Sequence, residues 1–305
     1  MKKTFIMIGA FVALMLSSCG SNYYVYSSFH EPATDGLRYI YSKDGLHWDS
    51  IPGVWLKPKV GKQKVMRDPS IVRTPDGIYH LVWTTSWRGD KGFGYAESKD
   101  LIHWSEERMI HVMDDPTTVN VWAPELFYDE DRKECMIIWA SCIPGKFARG
   151  IEDEKNNHRL YYTTTKDFKS FSPAKLLIDP GYSVIDATLV KKGWNDYVMV
   201  VKDNTRKMRN IKISFAHDPH GPWSLPSEPF TEPLTEGPAT AKVGNDYIIY
   251  YDRYGSKDFG AQKTRDFKHF EEITQEVHVT PLHKHGTIFK APKRLIKKLL
   301  NNNSK

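Results

Sequence analysis

The sequence predicts an all-β chain folded as a five-bladed β-propeller. Three observations carry this: two short motifs alternate along the chain five times each, aromatic residues are in surplus (9 Trp, 16 Tyr and 14 Phe in 305 residues), and the last repeat is cut short in a way that complements the first. Internal repeats of this length indicate radial or stacked units rather than one thick core. The 18 Pro and 20 Gly suit many short strands joined by tight turns better than a helical bundle. At ~150 residues per domain the length alone would suggest two domains. The repeat instead divides one domain into five small sheets.

The first motif reads Ser42-Lys-Asp-Gly-Leu-His-Trp48, Ser98-Lys-Asp-Leu-Ile-His-Trp104, Thr165-Lys-Asp-Phe-Lys-Ser-Phe171, Ala216-His-Asp-Pro-His-Gly-Pro-Trp223 and Thr264-Arg-Asp-Phe-Lys-His-Phe270, with terminal aromatics 56, 67, 52 and 47 residues apart. A short strand is expected before each copy, at 38–41, 93–97, 158–163, 211–215 and 259–263, and another after most. Asp44, Asp100, Asp167, Asp218 and Asp266 recur in every copy. There a carboxylate can accept hydrogen bonds from backbone N–H groups just ahead of it, while the ring plugs the space between sheets. The motif is similar to the structural Asp-box of sialidases, and these five residues are read as structural.

The second motif lies between copies of the first: Arg67-Asp-Pro-Ser-Ile-Val, Trp122-Ala-Pro-Glu-Leu-Phe, Ile185-Asp-Ala-Thr-Leu-Val, Glu236-Gly-Pro-Ala-Thr-Ala and His285-Gly-Thr-Ile-Phe. In the first four a turn then leads into an apolar strand, at 79–84, 136–140, 197–201 and 247–251. The N-terminus supplies the outer strands of one blade (23–27, 38–41, 54–56), and the C-terminus ends on a lone inner strand, 285–289. That strand is expected to complete the N-terminal blade and close the ring, which removes open sheet edges.

Unlike the first motif, the second changes identity from blade to blade. Innermost propeller strands begin at one face around the central axis, so their first residues converge on a shared funnel. What converges is Asp68, Trp122, Asp186, Glu236 and His285. Three carboxylates, an indole and an imidazole around one pocket form an acid/base site able to hold a sugar. Trp87, Phe29 and Arg253 are expected to wall the sugar site, with Trp55 a further candidate, from their positions after inner strands or in loops at the same face.

The ordered set Asp-Pro, Trp-Ala-Pro, Ile-Asp, Glu-Gly-Pro, His-Gly, one per blade, resembles glycoside hydrolase family 43, the five-bladed arabinofuranosidases, xylosidases and arabinanases. The resemblance implies an inverting hydrolase of plant polysaccharide side chains, with an α-L-arabinofuranosidase as the expected activity. Asp68 would be the general base, Glu236 the general acid, and Asp186 the residue that raises the acid's pKa and orients it. It also implies a largely hydrated Ca2+ near His285 in the axial channel. Glu125 stands where the family more usually has Asp, and the loop at 144–157 is rich in charge and Gly. Alternatives are a β-xylosidase or galactan-type exo-glycosidase of the same family, a glycan-binding propeller without catalysis, or a scaffold.

Residues 1–18 read as a lipoprotein-type signal peptide: Lys2 and Lys3, twelve mostly apolar residues, then Leu16-Ser17-Ser18-Cys19. Cys19 would carry a lipid, giving an exported, membrane-anchored protein of the periplasm or outer membrane. Residues 19–292 are the expected propeller and 293–305 a basic tail that frays or caps the fold and can touch anionic lipid. Six of the cations behind the net charge of +6 lie in residues 290–305, so the body has no basic face for nucleic acid. The expected partner is a plant cell-wall poly- or oligosaccharide, bound by a monomer. Cys135 and Cys142 sit seven apart in one expected strand, too far for a disulfide, and are read as free, buried thiols.

Overall fold

A computed structural model describes residues 22–302; the expected signal peptide and Cys19 lie outside that range. The N-terminal blade contains β1 (Asn22–Ser28), β2 (Leu37–Ser42) and β3 (His47–Leu56). The second holds β4 (Arg67–Arg73), β5 (Tyr79–Thr84), β6 (Gly92–Ser98) and β7 (Arg108–His111), and the third β8 (Trp122–Asp129), β9 (Glu134–Cys142), β10 (His158–Thr165) and β11 (Lys175–Ile178). The fourth holds β12 (Val184–Gly193), β13 (Asp196–Asp203) and β14 (Asn210–Ala216), and the fifth β15 (Thr235–Val243), β16 (Asp246–Arg253), β17 (Asp258–Thr264) and β18 (Glu271–Glu272). The chain then returns through β19 (His278–Val279) and β20 (Ile288–Pro292) to a terminal helix, α1 (Lys293–Asn302).

Within each blade the strands run antiparallel, and the inner strands are β4, β8, β12, β15 and β20. Closure occurs as the repeat phase predicts. Strand β20 pairs antiparallel with β1, from Tyr26 opposite Ile288 to Asn22 opposite Pro292. It begins three residues later than expected, so His285 and Gly286 stand free of the ladder at the mouth of the ring. Strand β19 adds a short parallel pair outside β3.

The fourth blade departs from the expected pattern in having three strands. Residues 222–233 contain Pro222, Pro226, Pro229 and Pro233, which cannot donate to a continuous ladder. The segment instead contacts β14 at intervals, through Ser224 N to Phe215 O (2.8 Å), Ser227 N to Ile213 O (2.8 Å) and Phe230 N to Ile211 O (3.1 Å).

The first motif forms the turns foreseen. Asp44 Oδ1 accepts from the backbone N–H of Leu46 (2.8 Å) and His47 (2.9 Å), Asp100 Oδ1 from Ile102 and His103, Asp167 Oδ1 from Lys169 and Ser170, and Asp266 Oδ1 from Lys268 and His269. Asp218 Oδ1 accepts from one backbone N–H, that of His220 (2.9 Å), and its other oxygen takes the Arg132 guanidinium. The closing rings each join an apolar cluster between sheets, Trp48 fully buried against Tyr26 and Tyr250. Cys135 and Cys142 are free and buried on β9, and burial pushes their thiols up to about 12 and about 11.

Candidate active site

Four inner strands open on the same irregularity. Pairing slips between Arg67 and Ser70, Trp122 and Glu125, Ile185 and Ala187, and Glu236 and Ala239. The slipped residue is left-handed in each: Asp68 at φ 52°, Ala123 at 45°, Asp186 at 49° and Gly237 at 58°. A bulge re-aims the side chains beside it, and here it turns one residue per blade toward the axis. Aspartate tolerates this backbone region better than most L-residues. Gly237 is required for a second reason: a Cβ there would lie 2.0 Å from the His285 ring.

The result is a cavity of about 240 Å3 lined by Asp68, Trp122, Asp186, Glu236 and His285, the five residues expected from the motif, together with Trp87. Trp122 stacks on His158 (ring centroids 4.7 Å apart) and donates from Nε1 to the Trp87 carbonyl at 2.9 Å. Trp87 is 49% exposed, with the Arg67 guanidinium 4.1 Å over its ring. Arg67 is itself tied to Glu31 at 2.5 Å.

Two expected wall residues are not in this cavity. Phe29 is fully buried behind it, edge-on to His285 and beneath Arg67. Arg253 pairs with Asp258 and lines a separate depression near Lys257 and His283. Phe29 therefore supports the site from behind, and Arg253 lies outside it. Trp55 packs on Tyr39 in the core.

The three carboxylates have different surroundings. Burial would raise Asp68, but His285 Nε2 at 2.8 Å, Arg67, and the Thr84 hydroxyl donating at 2.8 Å bring its pKa below the usual carboxylate value. Asp186 is pushed up to about 6, chiefly by burial and then by Glu236 and Asp68, against the opposing charges of His285 and Lys202. It accepts a hydrogen bond from Gly237 N at 3.1 Å. Glu236 departs from expectation. Burial would raise it, but Lys202 Nζ lies 2.7 Å from Oε2, and with His285 it holds the carboxyl below the usual glutamate value. In this state the elevated carboxyl is Asp186 rather than Glu236.

His285 links the base to the core. Its Nε2 faces Asp68, and its Nδ1 lies 3.3 Å from Asp252 Oδ2. The 2.8 Å contact to Asp68 is an ion pair whose angle is not that of a hydrogen bond. Although burial works against the charged ring, the two carboxylates raise its pKa well above the usual histidine value. An imidazolium has no lone pair for a metal. Among the described residues no group of three or more His, Cys, Asp or Glu has metal-holding geometry. A ring held as the cation therefore does not fit direct ligation of the expected Ca2+ by His285.

Below the cavity a second space of about 20 Å3, the size of one water, lies between Glu125, Asp186 and His285. Glu125 receives the Thr188 and Thr287 hydroxyls at 3.0 and 2.9 Å, and burial pushes its pKa up to about 7.

Several cavity residues have no counterpart in the motif. Lys202 is 3% exposed at its side chain and ends the apolar run of β13; a lysine closing such a run was the signal available. Glu152 and Asn156 come from the charged loop at 144–157, and Asn204, Arg209 and Tyr254 from loops after β13 and β16.

A family model described as "Probable glycosyl hydrolase domain", a relative of glycoside hydrolase family 43, matches residues 21–294. An α-L-arabinofuranosidase of Bifidobacterium longum subsp. longum is 23% identical over 249 residues, covering 64% of this chain and 23% of that protein. The chain thus spans about a quarter of that curated relative. The solved α-L-arabinofuranosidase of Lactobacillus brevis superposes with a TM-score of 0.54 at 20% identity, covering 71% of this chain and 73% of the other. A family-43 β-1,3-galactosidase gives 0.58 at 15% identity, covering 79% and 54%. These structural likenesses establish the five-bladed fold.

Proposed function

Because the chain belongs to this glycosyl hydrolase family, we propose that it hydrolyses a terminal glycosidic bond with inversion, removing α-L-arabinofuranosyl groups from plant polysaccharide side chains. The observation that carries the reading is the cavity itself: three carboxylates in unlike environments around one aromatic-walled space. At about 240 Å3 it falls below the ~300–1,000 Å3 typical of larger ligand sites. One terminal sugar suits that space.

Asp68, held ionised, takes a proton from water as that water attacks the anomeric carbon. The imidazolium of His285 fixes one carboxylate oxygen and the Thr84 hydroxyl the other. Glu236, with 26% of its side chain exposed at the cavity wall, delivers a proton to the leaving oxygen. Its reservoir is the Glu236/Asp186 pair, which shares one proton and titrates as a unit. In the empty site Lys202 biases that proton toward Asp186. The unlike pKa directions of Asp186 and Glu236 favour a second reading in which Asp186 itself is the acid. Trp122 and Trp87 offer flat faces to the sugar. As further parts of this proposal, the protein is an exported monomer anchored through a lipid on Cys19.

The α-L-arabinosyl preference rests on the arabinofuranosidase relatives. Treating arabinan, arabinogalactan and arabinoxylan with the protein and identifying the released sugar tests it. Arabinose with inverted configuration is expected. Release of galactose or xylose alone would move the substrate to the alternatives, and binding without any release would support the non-catalytic reading.

A further inference from the structure

Helix α1 carries a charge that its own fold does not use. Ile296 and Leu299 are buried against the N-terminal blade, in the cluster that contains Val25 and Leu101. The opposite side exposes Lys293, Arg294, Lys297 and Lys298, with no acid in the helix. Among the described residues, Lys298 alone of these has a carboxylate partner, Asp100 at 3.3 Å. Lys293 and Arg294 stand in the first turn, where positive charge opposes the helix dipole. Lys293, which sits over the Tyr23 ring, and Arg294 thus stand without a carboxylate partner among the described residues where helix stability would favour acids, and Lys297 follows one turn on. Lys290, exposed one strand-end earlier, sits over the Tyr24 ring and extends the patch.

The topology fixes where this patch faces. Strand β20 starts beside His285 at the cavity and ends at Pro292, and α1 follows at once. The patch therefore lies on the face of the propeller opposite the cavity. Asn22 pairs with Pro292, so the chain enters the domain on that same face. Cys19, the expected lipid-bearing residue, precedes Asn22 by three positions, which is at most about 10 Å of extended chain. Trp194, 79% exposed, lies in the turn after β12, at the end of that strand remote from Asp186. An exposed indole and a cluster of cations are features that membrane interfaces attract.

We propose that the face opposite the catalytic cavity rests on an anionic lipid surface, held through Lys293, Arg294 and Lys297 of α1, so that the cavity opens away from the membrane. A basic patch beside the expected lipid on Cys19 adds attraction to anionic headgroups, about 1 kcal/mol per cation near the surface, and so orients the domain on the membrane. The inference does not depend on which sugar is cleaved.

Lysine footprinting of the full chain bound to vesicles tests it. The readouts are acetylation rates at Lys293 and Lys297, compared with Lys207 and Lys257 in loops on the cavity face. On phosphatidylcholine vesicles containing phosphatidylglycerol, Lys293 and Lys297 should be protected about tenfold or more, with Lys207 and Lys257 unchanged. The protection should vanish on pure phosphatidylcholine and at high salt. In K293Q/R294Q/K297Q, protection of Lys290 should also be lost, in line with an affinity lowered on the order of a hundredfold. Equal protection on zwitterionic vesicles, or protection of Lys207 and Lys257, would overturn the proposal. Protection by heparin but not by either vesicle would assign the patch to a soluble polyanion and overturn it as well.

Discussion

Replacing Asp186 by Asn removes both the neighbour that competes with Glu236 for a proton and the group on which that proton rests. In the wild type the pair holds its proton with a pKa of about 6. The raised value means that the proton is present below that pH and lost as pH rises through it. If turnover requires it, about 9% of molecules are competent at pH 7 and about 99% at pH 4. In Asp186→Asn the proton must sit on Glu236 alone, whose pKa Lys202 holds below the usual 4.5 despite burial. At most about 0.3% of molecules are then competent at pH 7 and about 76% at pH 4. Protonation alone should therefore cost at least about thirtyfold in kcat/KM at pH 7, a loss that shrinks as pH falls toward 4. The assay is kcat/KM between pH 4 and 8 on an aryl α-L-arabinofuranoside with a poor leaving group. Parallel profiles, with the same loss at both ends, would refute the shared-proton reasoning.

Three further outcomes follow from other parts of the site and core. His285→Gln should lower the melting temperature, because removing one member of a buried ion pair costs about 3–5 kcal/mol, and it should move the acid limb of kcat/KM upward. The raised His285 pKa contributes stability that is fully present below the unfolded histidine pKa and lost as pH rises through the folded value. The lowered Asp68 pKa contributes stability that is present above its unfolded value and lost as pH falls. The difference in melting temperature should thus be largest in the mildly acidic window between them; no pH dependence would count against the imidazolium. Trp122→Ala should raise KM about two- to tenfold for loss of an aromatic face, with kcat changed little, as read from initial rates. Cys135 and Cys142, with thiols pushed up to about 12 and about 11, should resist thiol reagents at pH 8 in the folded protein and both react in denaturant.

The ring of five residues was legible because a propeller converts one motif position per blade into spatial proximity, however far apart the residues lie in sequence. The Asp-turns were legible because each closes on its own backbone within three residues. What escaped is long-range. Lys202 reaches Glu236 from the neighbouring blade, and no local pattern announces the pairing that reverses the expected pKa order of Glu236 and Asp186. Phe29 and Arg253 were placed by strand position alone, while their directions are set by packing against His285 and by the ion pair with Asp258. The missing fourth strand of blade four could have been foreseen from its four prolines. The docking of α1 could not, since its apolar stripe of Ile296 and Leu299 is short and set among lysines.

The central claim is the division of labour between Asp68 and Glu236. It is tested most directly by turnover of Asp68→Asn and Glu236→Gln, each shown to be folded, on aryl arabinofuranosides with good and poor leaving groups. Both variants should lose about 10²–10⁴-fold on the poor leaving group. Glu236→Gln should recover most of that on the good one, which needs no proton, while Asp68→Asn should not. Undiminished hydrolysis in both variants, or equal losses regardless of leaving group, would contradict the assignment.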